Sequence, residues 1–330
     1  MSLPRIALLT TGGTIAGAST PTSASDEYTA GTLTGETLLD AVPGILEQAQ
    51  IHVEPCLALD SKNMTPDHWA HIAHAARALL ERPDIDGVVI THGTDTLEET
   101  ALYLELVLPA AKPIVLTGAM RPADAISADG PANLLDAVRL AIAPSAHGHG
   151  VLVVFHEHIL PARGLRKSHA LQLDAFSATD GPVGTTRPAI RFFQPPAPRA
   201  AVLPWPDGPL PHVDILPVSV GTSPQWLELA TRAGARGLVL SLPGNGNVPD
   251  AWYEPIRQLG REGLPIIRAS RCHAGFIDAR GLDVELGTHP AGRLSPTQAR
   301  VALMLALAGG DVQDFRRVAL NAQNDGVQTS

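Results

Sequence analysis

Short apolar runs alternate along the chain with segments of helical spacing. The runs are Ile6-Ala-Leu-Leu9, Ile51 to Leu59, Gly87-Val-Val-Ile90, Pro113-Ile-Val-Leu116 and Gly150-Val-Leu-Val-Val-Phe155. Between them, Leu38, Leu39, Val42, Ile45 and Leu46 give a helical spacing from Thr37 to Ala49, interrupted at Pro43-Gly44. Thr65-Pro-Asp opens a second helix with a capping residue, a proline at the first position and an acid. Ala101 to Leu108 and Asp129 to about Ala143 supply two more. Strands that are nearly all apolar and alternate with helices predict a parallel sheet covered on both faces.

From Gln194 to His212 the pattern lapses into seven prolines, one glycine and few periodic apolar residues, which predicts a stiff, surface-lying linker. The alternation then resumes. Strands are expected at Ile215-Leu-Pro-Val218, Gly237-Leu-Val-Leu240 and Pro265-Ile-Ile-Arg268, with helices from Pro224 to Ala233, up to Leu259, and a last one from Pro296 to Leu307. The expected fold is α/β. A larger N-terminal domain, residues 1–193, holds a mostly parallel sheet between helices; residues 194–212 link it to a smaller C-terminal α/β domain, residues 213–330. Residues 18–35 lack hydrophobic periodicity and read as a mobile loop, a lid carrying Tyr28. Asn321 to Ser330 read as a frayed end.

Composition narrows the function. The 330 residues are 45% hydrophobic and 17% charged, and no apolar run is long enough to span a bilayer. A net charge of -9 argues against nucleic acid, whose phosphates need a basic surface. Cys56 and Cys272 have no metal-type spacing and read as free thiols of a reducing compartment, with a single disulfide as the alternative. The N-terminus enters an apolar strand almost at once without the features of a secretory signal, so the expected location is the cytoplasm. His68, His71 and His74 recur every three residues on one solvated helix face; no metal site is expected there.

The candidate chemistry lies at strand ends. Thr91-His-Gly-Thr-Asp-Thr-Leu-Glu-Glu-Thr100 follows a buried strand and leads into a helix, and in open α/β sheets ligands bind at such turns. Gly93 allows the turn, Thr94 and Asp95 stand at the helix mouth, and Glu98 and Glu99 fall in the first turn, where the helix dipole favours acids. Helix capping calls for the same residue types, so a plain cap is the competing reading. Thr10-Thr-Gly-Gly-Thr-Ile-Ala-Gly17 ends the first strand with two glycines, a setting for an anion or oxyanion site that holds the Thr14 hydroxyl on a braced turn. A phosphate loop is the plainer reading, but no Gly-Lys-Ser/Thr follows and G-x-G-x-x-G is absent. Lys167 lies in a polar stretch, where a lysine is usually just solvated. Threonines, an aspartate and a lysine at strand ends form a coherent route to acyl transfer. A threonine hydroxyl needs a base, and a lysine serves as one only when desolvation holds it neutral.

Thr11-Gly-Gly-Thr-Ile-Ala-Gly17 together with Thr91 to Thr100 closely resembles the two signatures of bacterial-type L-asparaginases. The likeness continues in order through Asp60-Ser61, Met64-Thr65, Thr117-Gly-Ala-Met-Arg-Pro122, Asp129-Gly-Pro-Ala-Asn133, Ala162-Arg163 with Lys167, and Gly244-Asn-Gly-Asn247, covering nearly the whole chain. The resemblance implies hydrolysis of L-asparagine to L-aspartate and ammonia through a β-aspartyl-enzyme. Thr14 would attack the side-chain amide with Tyr28 beside it, and Thr94, Asp95 and Lys167 would relay protons. Asp60 and Ser61 would lie at the substrate, Ser61 on its α-carboxylate and Asp95 on its α-ammonium. Backbone N–H groups near Thr94 and Ala119 would steady the oxyanion. It further implies no cofactor and no metal, and a homotetramer or homodimer whose smaller domain completes a neighbour's site through Asn245 or Asn247. The partner is a small-molecule substrate, L-asparagine or alternatively L-glutamine, with no nucleic acid and no membrane.

Two positions depart from the family pattern. Lys62 stands where glutamine or a small polar residue is common, and a cation there repels the substrate's ammonium unless it points to a carboxylate or to solvent. The C-terminal glutamate of many periplasmic members has no match; Arg280 falls near its place, with Asp278 and Asp283 as displaced candidates. Reduced affinity or an altered asparagine/glutamine preference is the expectation. The alternatives are a glutaminase-asparaginase or related amidase of the same fold, and a non-catalytic amino-acid-binding protein, which would have no need of all five catalytic groups.

Overall fold

A computed structural model describes residues 3–19, 28–109, 111–197 and 202–320 of the chain. Contacts divide it into two units, Met1–Pro198 and Arg199–Ser330. The strands of the first unit are β1 (Arg5–Gly12), the short β2 (Ala18–Ser19) and β3 (Tyr28–Thr29), β4 (Gln50–Leu59), β5 (Gly87–Thr91), β6 (Ile114–Thr117), β7 (Val151–Phe155), β8 (His158–Pro161), β9 (Leu165–Lys167), β10 (Phe176–Ala178), β11 (Gly184–Thr185) and β12 (Arg191–Phe192). Its helices are α1 (Gly35–Asp40), α2 (Ile45–Gln48), α3 (Pro66–Glu81), α4 (Leu97–Val107) and α5 (Gly130–Ala141).

Among the described residues the main sheet has eight strands in the order β12-β11-β8-β7-β6-β5-β1-β4. From β4 to β7 every neighbour is parallel. In chain order these five strands read 2-1-3-4-5, so the progression reverses between β1 and β5. The crevice beyond the carboxyl ends of the strands at such a reversal is where ligands bind. Every residue of β5, β6 and β7 is buried. One face packs Ile6, Leu8, Val89, Val115 and Val154 against the apolar side of α5 and the residues of α1 and α2. Helices α3 and α4 cover β1, β5 and β7 from the opposite side, as the alternation of side chains along a strand requires. Helix α3 begins as expected at Thr65, whose N–H donates to His68 Nδ1 at 3.1 Å. His71 and His74 are exposed.

The antiparallel edge was not legible. Strands β7 and β8 are joined by His156 and Glu157 with φ of 47° and 66°. Such two-residue hairpins ordinarily use Asn-Gly or Gly, so the sequence carries no turn signal here. Strands β8, β11 and β12 then pair antiparallel and extend the sheet. Strands β9 and β10 form a separate two-stranded ribbon. Of the expected lid, β2 and β3 pair with each other; residues 20–27 and the side chain of Tyr28 lie outside the described residues.

The second unit contains β13 (Val213–Pro217), β14 (Gly237–Leu242), β15 (Ile266–Ser270) and β16 (Thr288–Pro290), all parallel and in chain order. Its helices are α6 (Gln225–Arg232), α7 (Tyr253–Arg261), α8 (Gly281–Leu286), α9 (Pro296–Ala308) and α10 (Val312–Leu320). Helix α9 is not the last, contrary to expectation. Gly309-Gly310 ends it, and α10 follows with Phe315 and Val318 buried at a spacing of three. Helix α8 and strand β16 are too short to show a period. Within the proline-rich segment expected to lie on the surface, Leu203 is buried. The expected frayed end, Asn321 to Ser330, lies outside the described residues.

Candidate active site

The turn from β5 into α4 is held by contacts that replace capping. Thr96 occupies the N-cap position, yet its side chain makes no cap hydrogen bond. Its hydroxyl donates instead to Ser61 O at 2.9 Å, and the Asp95 N–H donates to Ser61 Oγ at 3.2 Å. The residue types that read equally as a cap thus tie this turn to the end of β4. His92 precedes Gly93 at zero exposure. Its Nδ1 lies 2.7 Å from Gly93 O, which can only accept, so Nδ1 carries the proton and Nε2 accepts from Thr100 Oγ1 at 3.0 Å. Burial pushes its pKa down to about 4, against a smaller opposite effect of the Gly93 carbonyl.

The β1 end abuts the same turn. Thr11 Oγ1 donates to Thr91 O at 2.8 Å, and Gly13 N donates to Leu59 O at 2.9 Å. Gly13 has φ 79° and approaches Gly93 so closely that a Cβ on it would stand 2.4 Å from the Gly93 Cα. Only glycine accommodates both the left-handed backbone and the contact. The next residues, Thr14 and Thr94, are 6% and 5% exposed. Thr14 opens a 3-10 turn, Thr14–Ala16, rather than a helix long enough to cradle phosphate.

Lys167, at the end of β9, comes to the same place. Its Nζ donates to Thr94 Oγ1 at 2.8 Å and to Asp95 Oδ1 at 2.6 Å. Its side chain is 18% exposed while that of Asp95 is 54% exposed, so the pair lies half in solvent at the mouth of the turn. The plain reading of a solvated lysine fails here. A hydroxyl, a lysine and a carboxylate in one hydrogen-bonded row can move a proton from the hydroxyl oxygen once the lysine has passed one of its own to the carboxylate, and can return it by the reverse steps.

Asp60 and Ser61 follow β4 on a 3-10 turn, Ser61–Asn63. Ser61 is 2% exposed. Lys62 Nζ pairs with Asp60 Oδ2 at 2.9 Å and is 66% exposed, so the departing cation points to a carboxylate and to solvent. Ala119 is buried on the loop after β6. That loop is braced from α5. Asn133 Nδ2 donates to Gly118 O at 3.0 Å, and the Asp129 carboxylate accepts from the N–H groups of Met120 and Arg121. The sequence showed Asp129 and Asn133 as a motif without a role. Glu98 was legible only as a first-turn acid; its carboxylate accepts from Lys167 N at 2.6 Å, across a separation of 69 residues that no local signal spans.

In the second unit Asn245 and Asn247 are exposed on the turn after β14. Arg280 donates to Asn247 Oδ1 at 3.1 Å. Arg268, wholly buried, donates to Gly246 O at 2.9 Å and to Asp278 O at 3.1 Å, and grips both Asp283 oxygens at 2.6 Å. Burial alone would raise the Asp283 pKa, but Arg268, the Thr288 hydroxyl and the Arg280 N–H outweigh it and hold the carboxyl below its usual range. Asp283 is therefore committed to this ion pair and is no substitute for the family's glutamate.

Among the described residues Cys56 and Cys272 are free thiols, and no group of three or more His, Cys, Asp or Glu is placed to hold a metal ion. No helix among them is long and apolar enough to cross a membrane.

The chain is similar to known proteins in sequence and in fold. Residues 5–198 match the family model described as Asparaginase, N-terminal, and residues 212–318 match the Glutaminase/Asparaginase C-terminal domain. The chain is 37% identical over 311 residues to L-asparaginase 2 of Bacillus subtilis (strain 168), spanning 92% of this chain and 83% of that protein. It is 38% identical over 330 residues to a probable L-asparaginase of Deinococcus radiodurans, spanning 96% and 97%. The crystal structure of a probable cytoplasmic L-asparaginase from Campylobacter jejuni superposes with a TM-score of 0.88 at 38% identity, covering 96% of this chain and 98% of that one. With both domain models matched in order and a common fold throughout, the chain belongs to the asparaginase family.

Proposed function

We propose that the protein is an L-asparaginase that hydrolyses the side-chain amide of L-asparagine to L-aspartate and ammonia through a threonine acyl-enzyme. The observation that carries this reading is Lys167 Nζ, 2.8 Å from Thr94 Oγ1 and 2.6 Å from Asp95 Oδ1, at the reversal of strand order. The Thr14 hydroxyl attacks the amide carbon. Its proton passes to the departing nitrogen, the C–N bond breaks, and ammonia leaves a β-aspartyl ester on the threonine. Water then attacks the ester carbon, gives a proton back to Thr14 Oγ1 and releases aspartate. Thr94, Lys167 and Asp95 relay these protons, and the family likeness gives Tyr28 a part in the same step. Support for pairing the two threonines comes from the contact between Gly13 and Gly93, the residues directly before them.

Asp60 and Ser61 hold the substrate's amino-acid end with Asp95, and the backbone N–H groups at Thr94 and Ala119 stabilise the oxyanion. Such donors contribute about 3–4 kcal/mol each in hydrolases where one has been removed. The catalytic domain spans residues 1–193 and is joined by 194–212 to a domain over 213–330, whose Asn245 or Asn247 completes the site of a neighbour in a homotetramer or homodimer. The protein works in the cytoplasm, a reading supported by the description of the Campylobacter relative. L-Glutamine is the second substrate to consider, since the C-terminal match is to a Glutaminase/Asparaginase domain.

Hydroxylamine tests the covalent step. An ester intermediate partitions to it and yields β-aspartohydroxamate at the expense of aspartate. Turnover at an undiminished aspartate yield with no hydroxamate would mean direct attack by water and would remove the acyl-enzyme.

A further inference from the structure

Lys167 reaches Thr94 and Asp95 from a strand that lies outside the main sheet. Strand β9 pairs only with β10 among the described residues. Ser168 N donates to Ala175 O at 2.8 Å and Thr179 N to Gly164 O at 3.0 Å. The even-numbered positions of this strand therefore face β10, and the Lys167 N–H, odd in the alternation, leaves from the opposite edge. Among the described residues that edge has no strand partner. The Glu98 carboxylate receives the N–H there at 2.6 Å.

Glu98 belongs to the same short stretch that receives the other end of the lysine. Thr94 and Asp95 take Nζ, and Glu98, in the first turn of α4, takes the main-chain N–H. Lys167 is thus attached to residues 94–98 at both ends. An ionised acceptor makes the backbone bond short and strong, and the start of α4 is fixed by the buried body of that helix.

We infer that Glu98 is a positioning residue for the hydrolysis, holding the Lys167 main chain so that Nζ stays within hydrogen-bond reach of Thr94 Oγ1. The inference rests on the assignment of Lys167 to the catalytic group under the proposed function. Without the carboxylate the Lys167 main chain loses this tie to α4, and a displacement of about 1 Å at a reacting group costs on the order of a hundredfold in rate.

The test compares Glu98→Ala, Glu98→Gln and Lys167→Met in steady-state ammonia release, with thermal unfolding measured on each. The expected result is a kcat roughly tenfold to a hundredfold lower in Glu98→Ala with KM little changed. Glu98→Gln, whose amide oxygen can still accept the N–H, recovers most of the loss. A general weakening of the fold would lower Tm in both variants without this split and without the rescue. If Lys167→Met abolishes turnover while Glu98→Ala keeps kcat within about twofold of wild type, the inference on Glu98 is overturned and the proposed function stands. An equal loss in Glu98→Gln and Glu98→Ala also overturns it, because the hydrogen bond would then not be what matters. Full activity of Lys167→Met removes the catalytic assignment itself, and the role of Glu98 with it.

Discussion

The Ser61 hydroxyl stands where a side chain on Gly93 would have to go: a Cβ built there lies 2.5 Å from Ser61 Oγ and 3.2 Å from the Gly13 Cα. The ends of β1, β4 and β5 are thus pressed together at Gly93, and the constraint is one of space. Gly93→Ala forces either the Ser61 turn or the Gly13 backbone to move. The expected outcome is a stability loss of about 1–3 kcal/mol, as for overpacking in a close-packed interior, accompanied by a raised KM and a lowered kcat. Urea unfolding and steady-state kinetics on the same preparation check both.

His92 makes stability depend on pH. The unfolded chain takes up a proton at this residue near pH 6.5, whereas the folded chain resists it until about pH 4. Between those values the unfolded state binds more protons, so the contribution of His92 is complete above about pH 6.5 and is lost as pH falls through about 4. The full loss amounts to roughly 3 kcal/mol at about 1.4 kcal/mol per unit. His92→Gln removes the titration, so its urea midpoints should fall less steeply than those of wild type from pH 7 to 4.5. Parallel curves would contradict this.

Arg268 is the buried cation of the second unit, with Asp283 as its ion-pair partner and two loop carbonyls on its remaining donors. Arg268→Met leaves a buried carboxylate without its cation and should cost about 3–5 kcal/mol. Arg268→Met combined with Asp283→Leu should be less destabilised than the single variant, because no charge is then stranded. A double-mutant cycle by denaturant unfolding measures the difference.

Lys62 presents the opposite case. Its partner Asp60 is 29% exposed and Lys62 itself 66%, so the pair is screened by solvent. Lys62→Ala should change unfolding free energy by less than about 1 kcal/mol, and by less still in high salt. A larger effect would show that Lys62 is tied into the fold beyond this pair.

What could be read from the sequence follows the range of the signals. The five parallel strands and α3, α4 and α5 are long or uniformly apolar, and their periods identify them. Pro66 and the acids Glu98 and Glu99 mark helix starts by local rules. The edge strands β8, β11 and β12 have no such mark, since His156 and Glu157 form a left-handed turn without glycine or asparagine. Helix α10 was hidden behind Gly309-Gly310, which reads as a stop. Thr14, Thr94, Asp95 and Lys167 stand as candidates in the sequence through strand-end placement and motif likeness alone. The meeting of Lys167 with Thr94 depends on a ribbon 73 residues away in the chain. Glu98 and Asn133 show the same limit, because each acts on a backbone group of another segment, β9 for Glu98 and the loop after β6 for Asn133.

If two threonines on adjoining loops act in one amide hydrolysis, loss of either hydroxyl must stop it. Steady-state ammonia release from L-asparagine and L-glutamine, with wild type beside Thr14→Ala and Thr94→Ala, tests it most directly. The expected result is turnover with asparagine preferred, and kcat lower by about a thousandfold or more in each variant, as for catalytic groups that work as a unit. Wild-type turnover that survives either substitution, or no ammonia from either amide, would contradict it.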